Sequence, residues 1–150
     1  MSNAYLRAAW NTTGAQLRVA FASVTLPTLV QPSSTVSAGL WTAIGAATLH
    51  EAINETPYSD ADYISVAAAS SCTMTLAEAA FPGGANQILK YRASSTYGSN
   101  LTIELKQGST TIMTRTHALT GTITEYTQML TEGEITAIVA GPINIVLTSS

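Results

Sequence analysis

The feature that most constrains this chain is apolar alternation at period two. Residues 101–106 run Leu101, Thr102, Ile103, Glu104, Leu105, Lys106. Side chains two apart on an extended strand share one face of a sheet, so this stretch is dry on one side and wet on the other. Gln107-Gly108-Ser109 supplies a tight turn, and residues 111–116 return as the partner of a hairpin. The same period recurs at Cys72, Met74 and Leu76, and again at Ile143, Ile145 and Leu147. A sheet with one dry face needs a second layer packed against it.

The remaining segments fit that frame. Residues 63–66 and 87–93 read as strands, and a further strand runs through either Ile123, Glu125 and Thr127 or the opposite set, Thr124 and Tyr126. Residues 40–53 read as a turn-rich entry with Trp41 anchoring a corner of the core, although Leu49, Glu51 and Ile53 suit a strand. Residues 54–62 are a loop dense in turn formers, and Pro82-Gly83-Gly84 is a turn. Thr131 and Glu134 have the spacing of a capping box. They open a short helix with Leu130, Ile135 and Ile138 toward the core, stopped by Gly141 and Pro142. A parallel α/β fold would need several crossover helices, and the sequence has none. The predicted class is all-β: a two-sheet β-sandwich, jelly-roll-like, with one short C-terminal-side helix and an extended N-terminal arm. The arm occupies residues 1–35 and the sandwich residues 36–150.

Within the arm, Leu17, Val19 and Phe21 alternate, and the phase then shifts to Val24 and Leu26. Pro27 lacks a backbone donor, which suits an edge strand or a free arm. Gln31-Pro32-Ser33-Ser34 reads as a break. Such a segment either pairs with the edge of its own sandwich or lies along a neighbour as an added strand. Tyr5, Leu6 and Trp10 precede it; they either contact another subunit, since Trp and Tyr are effective interface anchors, or fold back onto the same domain. The predicted contact set is therefore Tyr5, Leu6, Trp10, Leu17, Val19, Phe21 and Leu26.

Composition narrows the partners. Only 10% of the residues are charged, against 46% hydrophobic, where an ordinary soluble domain carries about 25% charged residues. The surface must be covered largely by Ser, Thr, Asn, Gln and Gly, as suits either a protein packed against neighbours or an outward-facing one with a quiet polar shell. Six Lys and Arg and a net charge of -3 give no basic stripe for nucleic acid. No apolar stretch has the length of a membrane span, and the first residues lack the pattern of a secretory leader.

Catalytic signals are sparse. The two histidines, His50 and His117, are far apart and read as polar surface or interface residues. No metal-binding, phosphate-loop or nucleophile motif is present. The lone Cys72 lies in an apolar alternation and reads as a small buried hydrophobe. Glu55, Asp60 and Asp62 fall within one loop. Asp60 and Asp62 are raw material for a Ca²⁺ site, which wants six to eight oxygens; alternatively Asp60 shapes the turn and Asp62 starts a strand. Tyr58 and Tyr97 are the candidate platform for a carbohydrate. The expectation is a non-enzymatic protein with no cofactor.

Residues 40–66, LWTAIGAATLHEAINETPYSDADYISV, resemble a recurring segment of phage and prophage structural proteins. Tyr91-Arg92-Ala93, the strand-turn-strand LTIELKQGST, and Leu130-Thr131 with Glu134 before a final strand extend the resemblance in the same order. It implies a jelly-roll-like module of virion proteins, associated with heads or tails and bringing no catalytic residues. With little beyond the module, the chain is expected to be a head-decoration or capsid-attachment protein. Its partners would be copies of itself, often three, and the major capsid or other virion proteins, assembled in the host cytoplasm. The alternatives are a tail or baseplate component, or a carbohydrate-binding module used in host attachment.

Overall fold

The computed structural model describes residues 30–54, 60–77 and 87–150. The described residues are mostly β-strand, in several antiparallel sheets, with one α-helix. The largest sheet has five strands in the order β1 (Pro32–Ser37), β4 (Ser70–Leu76), β9 (Asn144–Ser149), β6 (Asn100–Gln107), β7 (Thr110–Ala118). Two further pairs stand apart as ribbons. One joins β2 (Thr42–Ile44) to β3 (Tyr63–Ser65), and the other joins β5 (Ile88–Ala93) to β8 (Thr124–Met129). All pairings are antiparallel.

Register explains why the core sits on one face of the large sheet. Cys72 pairs with Leu147 and Leu147 with Ile103; Met74 pairs with Ile145 and Ile145 with Leu105. The three alternating stripes read in the sequence are thus brought level across adjacent strands. Cys72, Met74 and Ile103 are fully buried, and each apolar side chain of this size contributes about 1.5–3 kcal/mol by leaving water. Both ribbons add to the same cluster, through Ala43, Ile64, Leu89, Tyr91 and Ala93. The β6–β7 hairpin turns through Gly108, at φ 57, and Ser109.

The opposite face of the sheet is a hydroxyl surface. One row crosses four strands as Ser71, Thr148, Thr102 and Thr116. Ser71 and Thr148 are hydrogen-bonded at 2.7 Å, and Thr102 and Thr116 at 2.8 Å. In a parallel row, Thr75 donates to Asn144 Oδ1 at 2.9 Å. The charged pair on this face, Glu104 and Lys106, is mutually compensating at 3.6 Å.

Several local readings are corrected. Gln31-Pro32-Ser33-Ser34 is not a break: β1 begins at Pro32 and is the edge strand of the large sheet. Proline is tolerated there because an edge strand needs only half its donors. Register shifts between Pro32 and Ser34 and between Thr35 and Ser37 mark the irregularity. Glu51–Ile53 is a 3-10 helix rather than a strand, turned so that Ala52 and the preceding Leu49 are buried. In β8 the inward set is that of Tyr126, not Ile123, which is exposed.

The helix α1 (Glu132–Thr136) starts on the predicted capping box. Thr131 Oγ1 accepts from Glu134 N at 3.2 Å, and Glu134 Oε2 accepts from Thr131 N at 2.7 Å. The helix is one turn long and ends well before Gly141, and at Val139 the Gln107 side chain holds the backbone instead. Gln107 accepts from Val139 N at 2.9 Å and donates to Val139 O at 2.8 Å. Trp41 does anchor a corner, half-buried, with Nε1 donating to Ser70 O at 3.2 Å. Gly39 beside it has φ +56, and a Cβ there would lie 2.1 Å from Ser71 O, so only glycine permits this approach.

Candidate functional site

One group of interacting polar side chains lies on the core side of β7. Antiparallel register places Met113, Arg115 and His117 opposite Leu105, Ile103 and Leu101. A bulge at Ile112, where the register shifts between Leu105 and Lys106, sets this phase. Arg115 and His117 therefore point to the same side as the dry stripe, toward the β5–β8 ribbon.

Each is accommodated differently. Arg115 forms a two-pronged ion pair with Glu134, Nη1 to Oε1 at 2.8 Å and Nη2 to Oε2 at 2.9 Å. Fork-to-fork geometry makes such charge-assisted bonds strong and directional. The Arg115 guanidinium holds the Glu134 carboxyl below the usual carboxylate range, opposed by burial and helped by the Thr131 backbone. One carboxylate thus caps α1 and neutralises the inward charge of β7.

His117 sits among aromatic rings. Its centroid is 4.3 Å from Tyr126 and 5.8 Å from Tyr91, and the two tyrosines stack at 5.3 Å with 20° between their planes. Tyr91 Oη and His117 Nε2 are both buried without a hydrogen-bond partner. Burial pushes the Tyr91 hydroxyl up to about 12, with the neighbouring Tyr126 adding to the effect and Arg115 opposing it. The expectation of a surface or interface position for His117 is corrected: its ring lies inside, pinning the ribbon to the sheet.

The other histidine makes the nearest approach to a hydroxyl–imidazole–carboxylate set. His50 Nδ1 is 2.9 Å from Thr48 Oγ1 and 3.1 Å from Thr35 Oγ1, while Thr48 donates to Glu51 Oε2 at 2.8 Å. In a nucleophilic relay the acid orients the imidazole, whose other nitrogen takes the hydroxyl proton. Here the carboxylate contacts the hydroxyl, and both hydroxyls share one ring nitrogen. The arrangement ties β1 to the 3-10 helix. Burial pushes the Cys72 thiol up to about 11, which works against a thiolate nucleophile.

The residues singled out from sequence are placed unevenly. Tyr5, Leu6, Trp10, Leu17, Val19, Phe21, Leu26, Glu55 and Tyr58 lie outside the described residues. Asp60 forms an ion pair with Arg92 of β5, and Asp62 packs against the backbone of Gly45, whose added Cβ would fall 1.7 Å from Asp62 Oδ1. Among the described residues no three of His, Cys, Asp and Glu come together as a metal site. Tyr97 stands 95% exposed between β5 and β6. Lys90, on the same strand as Arg92, pairs with Glu125 at 2.9 Å. No helix among the described residues is long and apolar enough to cross a membrane.

Sequence reasoning missed the inward Arg115 and His117. Counting back from the two-residue turn puts Ile112, Thr114 and Thr116 opposite the dry stripe, and the bulge at Ile112, which the sequence does not mark, reverses that phase. No protein-family model, no curated protein and no solved structure matches the chain.

Proposed function

We propose that this chain is a non-enzymatic structural subunit of a phage-type particle, a head-decoration or capsid-attachment protein working through protein–protein contacts. In this reading the five-stranded sheet and the two ribbons are the layers of a jelly-roll-like sandwich. Copies of the chain associate with one another and with the capsid lattice, and residues 1–29 supply the lacing arm.

The observation that carries the reading is the segregation of the large sheet. Its core face is apolar apart from Arg115 and His117 on β7, and its other face is a field of hydroxyls that hydrogen-bond one another, with one compensated ion pair, Glu104–Lys106. A lattice contact repeated many times is served by a flat, neutral surface, because like charges on neighbouring copies would repel. The order of resembling segments in residues 40–147 adds the particle assignment. A glycan-binding reading retains one favourable observation, the exposed ring of Tyr97.

The test is fractionation of purified particles with antibody detection of this chain, alongside a variant lacking residues 2–29. That deletion spares Gln31, whose carbonyl accepts from Ala77 N at 2.7 Å, and all of β1. The full chain is expected to band with particles at fixed stoichiometry, and the truncated chain to stay folded but unbound. A full chain found only in the soluble fraction overturns the proposal. Binding of a glycan array that is lost on Tyr97→Ala would favour the attachment alternative.

A further inference from the structure

The large sheet ends on two unlike edges. The β1 edge is short, begins with Pro32 and is broken by two register shifts. Proline, bulges and brevity are devices by which edge strands avoid pairing with other chains. The β7 edge has fewer of them. From Met113 to Ala118 its pairing with β6 is regular, with neither proline, glycine nor lysine in that run. The edge carries two such devices, the bulge at Ile112 and the inward charge of Arg115, but the bulge lies before this run and the charge is neutralised by Glu134. Among the described residues no other element flanks this side of β7.

The hydrogen-bond phase shows which groups face that open side. Leu119 N donates to Ser99 O at 2.9 Å, so Ser99 and Leu119 form a bonded pair. Alternation along an antiparallel ladder makes His117, Arg115 and Met113 the residues bonded to β6. Thr114, Thr116 and Ala118 then direct their N–H and C=O groups outward. Thr114 O is taken by Arg115 Nη1 at 2.9 Å, which leaves three donors and two acceptors in a row. All three residues are exposed, while Thr102 and Glu104 on β6 are half-buried.

We infer that this edge receives residues 16–21 of a second copy as an added antiparallel strand. The inference rests on the reading that the leading segment joins subunits, and it names the surface that receives it. Residues 16–21 alternate Leu17, Val19 and Phe21 with Gln16, Arg18 and Ala20. Laid beside β7, one set continues the apolar side of the sheet and the other continues the hydroxyl side. A second copy is favoured over the same chain because residue 30 enters at β1, the opposite edge. Four strand spacings of about 4.8 Å separate β1 from β7, roughly 19 Å in all. To cover that span in cis, residues 22–29 would have to draw Val24, Leu26 and Leu29 across the hydroxyl face or over the ribbons.

The experiment uses full-length chains carrying single cysteines and a short bis-maleimide that tolerates a shift of one residue pair; the fully buried Cys72 stays silent. Tagged Arg18→Cys is mixed with untagged Thr114→Cys, alone or combined with Thr116→Pro, which deletes one outward donor and the hydroxyl bond to Thr102 but no backbone hydrogen bond to β6. A cross-linked pair of unlike chains is expected, reduced at least tenfold by the proline. Should Thr116→Pro unfold the chain, Ala118→Pro at the strand end replaces it. Cross-linking confined to one chain carrying both Arg18→Cys and Thr114→Cys, or cross-linking indifferent to proline, overturns the inference. Absence of any cross-link also overturns it, while particle loading that still depends on residues 2–29 would leave the functional reading standing.

Discussion

Glu134→Ala tests how far one carboxylate organises the β7–α1 junction. Two contributions are lost. The cap bond to Thr131 N is worth about 1 kcal/mol, and the charge-assisted bonds to Arg115 about 1.5–3 kcal/mol. The paired side chains keep 24% and 16% of their surface exposed, which places the ion pair below the roughly 3–5 kcal/mol cost of breaking a fully buried one. The expected total is about 3 kcal/mol, read as a fall in Tm of roughly 6–12 °C for a chain of this length. Glu134→Gln keeps an acceptor for the cap but loses the charge, and should cost about half as much. The assay is urea unfolding followed by circular dichroism for Glu134→Ala, Arg115→Ala and the double variant. Coupling of about 1.5 kcal/mol is expected; double-variant costs that equal the sum of the singles within about 0.5 kcal/mol would refute the reasoning. The pH dependence comes from the lowered Glu134 carboxyl. Its stabilisation is complete above the unfolded carboxylate value of about 4.3 and is lost as pH falls through the lower folded value. Wild type and Glu134→Gln should therefore converge in acid.

Other substitutions probe the core and the ribbons. Tyr91→Phe removes a buried hydroxyl without a partner, so stability should hold or rise by up to about 1 kcal/mol; a loss greater than that in thermal unfolding would mean that the hydroxyl is hydrogen-bonded in solution. Ile103→Ala, at 1% exposure in the centre of the sheet, should cost about 3–4 kcal/mol in urea titration, and a cost under about 1 kcal/mol would contradict the packing. Gly45→Ala must displace Asp62 at a φ of +82 and should lower Tm, whereas an unchanged Tm would show that the β2–β3 ribbon yields freely. Cys72 should resist a thiol reagent at pH 8 until the chain unfolds. Because burial raises its thiol to about 11, the stability it confers is present below the unfolded value of about 8.5 and declines as pH rises toward 11.

Strands with a clean alternation were legible because their pattern and their burial have the same cause. Cys72 and Met74, Leu101 to Leu105, and Ile145 with Leu147 all face the core as read. The capping box was legible because it is local, closed within four residues. β1 was not, because PSSTVS offers a single apolar side chain besides its proline, and its strand geometry is imposed by pairing with β4. The 3-10 turn at Glu51–Ile53 was hidden by an apolar spacing that fits a strand equally well. Arg115 and His117 escaped notice because Thr-Arg-Thr-His does not look like a dry stripe; the partner that makes Arg115 tolerable is Glu134, 19 residues on. The candidate contact residues Leu17, Val19 and Phe21 were visible as an alternation, but nothing in a single sequence identifies the edge they would meet.

The placement of β9 has a consequence for biogenesis. Among the described strands it comes latest in synthesis, yet it lies in the interior of the large sheet, between β4 and β6. While a ribosome is still short of residue 149, the β6–β7 hairpin can form, but among the described residues no strand lies between the two halves of that sheet. A nascent chain stalled there would display two raw, sticky borders, the condition in which unfinished β-proteins aggregate or attract chaperones. Closure of the large sheet therefore waits on the arrival of six residues.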